Sequence, residues 1–184
     1  MRRVAVAISA LPVVLAACAN RPELDDFERT LAAQDSATAA LSQWCAAKGL
    51  ARQPTITAMA VAGPALPPPA DIAGLLGGEP LAFRHVRLTC GDAVLSEAFN
   101  WYVPARLTAQ MNRTLDETDT PFGRVAAPLG FRRERIDAMR GATRGCPAGT
   151  ILTHRARLVL PDGRPLALLV ECYTSAILPP ASAG

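Results

Sequence analysis

Residues 150–178 read TILTHRARLVLPDGRPLALLVECYTSAIL, and no other stretch constrains the fold as strongly. Two runs of alternating or continuous apolar residues flank a turn with Asp162-Gly163 at its tip, the pattern of a β-hairpin. The second run carries a carboxylate, Glu171, in the middle of an otherwise apolar strand. Enclosing a lone ionised carboxylate is costly enough that such groups are normally paired, hydrogen-bonded or neutralised. Glu171 therefore either faces water on an edge strand or faces a polar partner inside the fold.

Side chains alternate along a strand, so parity decides which residues share a face. A two-residue loop sets His154 opposite Glu171, which then shares a face with Ala156, Leu158 and Leu169 while Arg155 and Arg157 point the other way. Upstream, LAFRHVRLTC and VLSEAFNWYV surround Gly91-Asp92 and form a second hairpin. In it Arg84 shares a face with Val86, Leu88 and Cys90, and His85, Arg87 and Thr89 take the other. Two side chains of opposite charge, Arg84 and Glu171, thus both face the core, where they need each other or a polar ligand. A three-residue loop pairs Arg84 with Asn100, whereas a two-residue loop pairs it with Phe99 and brings Glu97 to the same face. The first is preferred because it keeps a second carboxylate out of the core.

The other segments fit around these hairpins. A helical pattern runs from Leu24 to Lys48, interrupted at Gln34-Asp35-Ser36, with Ala37, Leu41, Trp44 and Cys45 on one face. Thr55–Val61 reads as a strand, and GPALPPPADIAGLLGGEP as a loop laid over the sheet. ARLTAQMNRTLDET is an amphipathic helix; Thr120 is a candidate cap for a turn with Pro121 at its first position. FRRERIDAM is a further strand, with Arg132, Arg133 and Arg135 read as a solvated face. Trp101 and Tyr102 are adjacent, so they face opposite sides of the sheet. The sum is an α+β fold: a single antiparallel β-sheet with helices packed on it.

The N-terminus stands apart from this domain. MRRVAVAISALPVVLAACAN has two arginines, an apolar run too short to span a bilayer, and then Leu15-Ala16-Ala17-Cys18. The layout is that of a secretory signal over residues 1–17, and L-A-A-C resembles a bacterial lipobox, which implies acylation of Cys18. Ala19 follows the cysteine where an aspartate would signal inner-membrane retention, so the expectation is a periplasmic protein anchored to the outer membrane through Cys18. Residues 18–23 are then a lipidated tether and residues 24–184 one domain. Removing residues 1–17 lowers the formal charge from +3 to +1, because two of the 19 basic residues lie there and none of the 16 acidic ones. A near-neutral chain without a basic block gives no electrostatic case for nucleic acid.

Cys45, Cys90, Cys146 and Cys172 remain, an even number that admits two disulfides in an oxidising compartment. Their spacing matches no zinc knuckle, and no metal site is expected. No Ser-His-Asp arrangement, Walker loop or glycine-rich dinucleotide fingerprint occurs.

The ordered pieces Arg84-His85-Val86-Arg87-Leu88, Cys90, Val103-Pro104, Thr120-Pro121-Phe122-Gly123-Arg124 and Glu171 resemble the chorismate pyruvate-lyase family over roughly residues 80–178. The resemblance implies a sheet with helices on one side enclosing a pocket for an aromatic carboxylate. It implies that Arg84 grips the carboxylate, that Phe122 and Gly123 line the pocket, and that Glu171 meets the ligand's oxygen at the opposite end. A guanidinium fork matches a carboxylate bidentately, which suits the first of these roles. Where the lyases carry a second arginine this chain has Asn100. Chorismate has two carboxylates and one arginine cannot neutralise both, so the pattern points away from lyase activity and toward a related pocket with another ligand, or none.

Three functions follow as expectations. The first is a lipid-anchored periplasmic domain of chorismate-lyase-like fold that binds a small aromatic or acyl carboxylate. The second is a lyase that releases pyruvate and 4-hydroxybenzoate, with Glu171 as its catalytic residue and no cofactor. The third is a structural lipoprotein without a ligand. If Arg84 and Glu171 both face the pocket, Cys90 faces it and Cys172 faces away, so those two should not bond. That leaves Cys45–Cys90 with Cys146–Cys172, which is preferred, or Cys45–Cys172 with Cys90–Cys146.

Overall fold

Arg84 stands opposite Asn100 and His154 opposite Glu171, and these two registers position everything else. A computed structural model describes residues 21–178 apart from Arg144. Six antiparallel strands form one sheet in the order β1-β2-β3-β6-β5-β4. They are β1 (Ile56–Ala60), β2 (Ala82–Cys90), β3 (Ala93–Tyr102), β4 (Arg132–Arg140), β5 (Leu152–Val159) and β6 (Pro165–Tyr173). The two hairpins meet where β3 pairs with β6, in the middle of the sheet.

Both registers agree with expectation, yet each is reached through a different turn. In the first hairpin Cys90 pairs with Ala93 across a two-residue loop, and the register shifts past Leu88 and Thr89 so that Leu95 is the extra residue. In the last, Leu160 N–H bonds the Arg164 carbonyl across a three-residue loop, and Leu166 is the extra residue. A β-bulge adds one residue to one strand, so loop length and bulge cancel. Gly91 sits at φ 56° in the first tip, a conformation that favours glycine.

Helices α1 (Arg21–Ala32) and α2 (Ala37–Ala47) are separated at the expected interruption, and α1 begins three residues ahead of Leu24. All four residues of the expected α2 face, Ala37, Leu41, Trp44 and Cys45, are buried. Phe27, Trp44 and Tyr173 meet edge-on at 5.2 and 5.0 Å, and the Trp44 indole donates to the Ile177 carbonyl at 2.7 Å. Helices α3 (Ala109–Glu117) and α4 (Phe122–Ala126) pack on the same sheet face, against Tyr102, Leu158, Ala167 and Leu169. Thr120 does not cap α4: its hydroxyl accepts from Thr118, and Pro121 itself occupies the cap position.

The opposite face is covered by the proline-rich loop. Ile72 and Leu76, at a short 3-10 turn, sit on Phe99, Trp101, Leu168 and Val170. The loop is fastened by Trp101 Nε1 donating to the Leu66 carbonyl at 2.6 Å and by Arg155 bridging Asp71 and Asp137. Trp101 and Tyr102 do face opposite sides.

The disulfides are Cys45–Cys90 and Cys146–Cys172, the first of the two alternatives. One ties α2 to β2 on the helical face; the other ties the loop before β5 to β6 on the far face. Among the described residues no helix is long and apolar enough to cross a membrane. The signal segment and Cys18 lie outside the described residues.

Candidate functional site

Between the sheet and the starts of α2 and α4 lies a cavity of about 40 Å³. Its floor is built from strand residues of one parity: Arg84, Val86 and Leu88 on β2, Ala98 and Asn100 on β3, Leu158 on β5, and Leu169 and Glu171 on β6. Its roof is Ser36, Ala37 and Thr38 at the start of α2 with Phe122 and Gly123 at the start of α4. Arg84, Asn100, Phe122, Gly123 and Glu171 therefore line one space.

The roof fits tightly because residue 123 is a glycine. A Cβ there would lie 2.1 Å from Ser36 Oγ and 2.9 Å from Thr38 Oγ1. Beyond Ser36, Thr38 and Gly123 lies a more open hollow of about 360 Å³ that shares those three residues as a wall.

Polar groups divide the cavity into two ends. At one end, Asn100 is 3% exposed, and neither its amide nitrogen nor its amide oxygen has a hydrogen-bond partner among the described residues. An amide offers two donors and an acceptor, and leaving them unsatisfied in the interior costs roughly 1–3 kcal/mol. Beside it Arg84 makes one hydrogen bond, a 3.3 Å contact from Nη1 to the Thr120 carbonyl, and it forms no ion pair among the described residues. Burial holds the Arg84 pKa below its usual value, against the raising influence of Tyr102, Asp116 and Asp119.

At the other end, Glu171 does not pair with Arg84. Its partner is Arg133 on β4, whose Nη2 donates to Oε2; the two side chains are 6% and 3% exposed. The Tyr173 hydroxyl donates to the same oxygen at 3.0 Å. Burial raises the Tyr173 pKa well above its ordinary value, and the neighbouring Glu171 adds to the shift. Burial pulls the Arg133 pKa down, but Glu171 outweighs it and the net shift is upward. Oε1 of Glu171 accepts no hydrogen bond from the described residues.

The reading of Arg133 as solvated is thereby corrected. Arg133 pairs with Leu158 and Arg135 with Ala156, so both share the inward parity of β5, while Arg132 and Glu134 lie on the other face. The demand of Glu171 for a cation was visible in sequence, but the register of β4 against β5 was not. Ser36 and Thr38 were also missed as roof residues, since nothing in a helix pattern says what its first turn will cover. His154 is 4% exposed and its Nε2 has no hydrogen-bond partner among the described residues.

A chain from Sinorhizobium fredii, the uncharacterized protein y4mC, is 40% identical over 177 residues, covering 84% of this chain and 75% of that one. The chain belongs to the y4mC family. No protein-family model matches its sequence. Among solved structures, PhnF from Mycobacterium smegmatis superposes with a TM-score of 0.55 at 18% identity, covering 79% of this chain and 66% of PhnF. The separately solved effector domain of PhnF gives 0.50 at 20% identity, covering 76% of this chain and 88% of that domain. The chain spans less than two thirds of another matched structure, 62% of the possible transcriptional regulator YydK from Bacillus subtilis. At these identities the likeness is one of fold: the y4mC family member shares the chorismate-lyase-like sheet of the effector domains.

Proposed function

We propose that this y4mC-family chain is an exported, lipid-anchored protein that binds a small carboxylate between Arg84 and Asn100. The observation that carries the reading is the Asn100 amide, enclosed on the cavity wall directly across the β2–β3 ladder from Arg84, the amide without a hydrogen-bond partner and the arginine without a carboxylate among the described residues. A carboxylate placed there would accept from the Arg84 guanidinium and the Asn100 NH₂. Glu171, held from behind by Arg133 and Tyr173, would present its second oxygen to a hydroxyl or other donor on the ligand. Sharing a fold with the PhnF effector domain supports a binding role over a purely structural one.

Size narrows the ligand. A cavity of about 40 Å³ accommodates a group of a few heavy atoms, whereas a benzene ring fits a cavity of roughly 150 Å³. An aromatic carboxylate would require Ser36 and Gly123 to part and open the cavity toward the outer hollow.

Isothermal titration against carboxylates from acetate to 4-hydroxybenzoate tests the proposal, with Arg84→Ala as control. Saturable binding that weakens at least about tenfold in Arg84→Ala is expected, the loss typical of a charge-assisted contact. Equal binding by both proteins, or binding by neither, would overturn it. Incubation with chorismate adds the enzymatic arm, where pyruvate release would assign a lyase instead. For the anchor, the full chain is expected in the outer-membrane fraction and Cys18→Ser in the soluble periplasm.

A further inference from the structure

A separate hollow of about 240 Å³ opens on the helical side of the sheet, between the end of α1 and strands β4 and β5. Its lining is Leu31, Ala32, Gln34, Arg133, Arg135 and His154, with no acidic side chain. Three features mark it as a binding surface. Arg135 makes no ion pair or side-chain hydrogen bond among the described residues. Arg133 gives Nη2 to Glu171, and its guanidinium makes no other hydrogen bond there. His154, 4% exposed, lines the same hollow and leaves Nε2 enclosed and unpartnered among the described residues.

We propose that Arg133, Arg135 and His154 form a second site, for the phosphate group of a small molecule or a lipid headgroup. Guanidinium N–H groups suit oxyanions bidentately. Donors arriving from two successive inward positions of β4 and from a neighbouring position of β5 suit an anion with three or more acceptor oxygens better than a planar carboxylate. The site also shares a residue with the inner cavity. Arg133 has Glu171 on one side and the hollow on the other, so an anion that draws the guanidinium outward loosens the partner of Glu171. Occupancy of the outer site is thereby linked to the chemistry of the inner one, and linkage of this kind is reciprocal.

The histidines supply a direct readout. The chain has two, and His85 lies on the opposite face, bonded to Glu97 at 2.7 Å. Inorganic phosphate titrated into the protein at pH 7, followed by the imidazole proton resonances, is expected to move the His154 signal saturably and leave His85 in place. Arg135→Ala, at an exposed position, is expected to weaken this binding about tenfold, as for one charge-assisted contact. Arg84→Ala, which alters only the inner cavity, is expected to leave it unchanged. Phosphatidylglycerol vesicles, compared with phosphatidylcholine vesicles and glycerol phosphate, separate a lipid headgroup from a free phosphate ester. Both resonances moving together, no saturation by tens of millimolar, or equal binding by Arg135→Ala would overturn the site.

Discussion

Arg133 and Glu171 lie 38 residues apart in sequence, on an edge strand and an inner strand, and form an ion pair with both side chains almost fully enclosed. Such a pair is held against a large desolvation cost, so removing one member leaves the other charge stranded. Arg133→Met alone, or Glu171→Leu alone, is expected to destabilise the fold by about 3–5 kcal/mol. The paired change Arg133→Met with Glu171→Leu should recover most of that loss. Urea unfolding of the four proteins in this cycle measures both, and a fully destabilised double variant would show that the pair is not an independent unit.

Asn100 offers the opposite case. Asn100→Leu replaces an unpartnered amide by an apolar group with the same number of heavy atoms. The ligand-free protein is expected to gain about 1–3 kcal/mol, the cost normally attached to an unsatisfied interior group. Carboxylate binding should disappear with it. Thermal denaturation beside titration reads the two changes, which run in opposite directions as expected for a group kept for binding.

His154 makes stability depend on acid. Burial pushes its pKa from 6.5 down to about 4, so the folded protein keeps the ring neutral where the unfolded chain takes up a proton. The contribution is therefore complete above the unfolded value, near pH 6.5, and drains away as the pH falls toward 4. At about 1.4 kcal/mol per unit it reaches up to ~3 kcal/mol. Between pH 7 and 4.5, His154→Gln should lose distinctly less stability than the parent in urea unfolding.

Each disulfide closes a loop of moderate length, with sequence separations of 45 and 26 residues. Constraining the unfolded chain over such loops is worth about 3–4 kcal/mol apiece in the chain-entropy view. Paired serine substitutions of Cys45 and Cys90, or of Cys146 and Cys172, should each lower the unfolding free energy by that order. Peptide mapping of unreduced protein should recover these two linkages and no Cys90–Cys172 bridge.

The hairpins explain what was legible in the sequence. Facing residues such as Arg84 with Asn100, or His154 with Glu171, follow from a period of two and from which face must stay apolar. The turns did not follow, because an inward bulge at Leu95 or Leu166 restores the same pairing from a loop one residue shorter or longer. Arg133 was misread for a related reason. Ile136 is the extra residue of β4, so the alternation before it and after it falls on different faces, and an arginine-rich edge strand gives no outward sign of this. The cavity's charged and amide residues were visible as chemistry. Its roof was not, since Ser36, Thr38 and Gly123 meet only through the packing of two helix starts.

The Cys45–Cys90 bond fixes how the inner cavity can open. It clamps the C-terminal end of α2 to the sheet, while Ser36 and Thr38, at the free end of the same helix, roof the space above Arg84. With the rise of ~1.5 Å per residue, Ala37 stands about 12 Å from that fulcrum. A tilt of only about 10° would then lift the free end by ~2 Å over such a lever. Admission is confined to the Ser36 side, and the hinge itself is sealed in the core, since Cys45 and Cys90 are both fully buried.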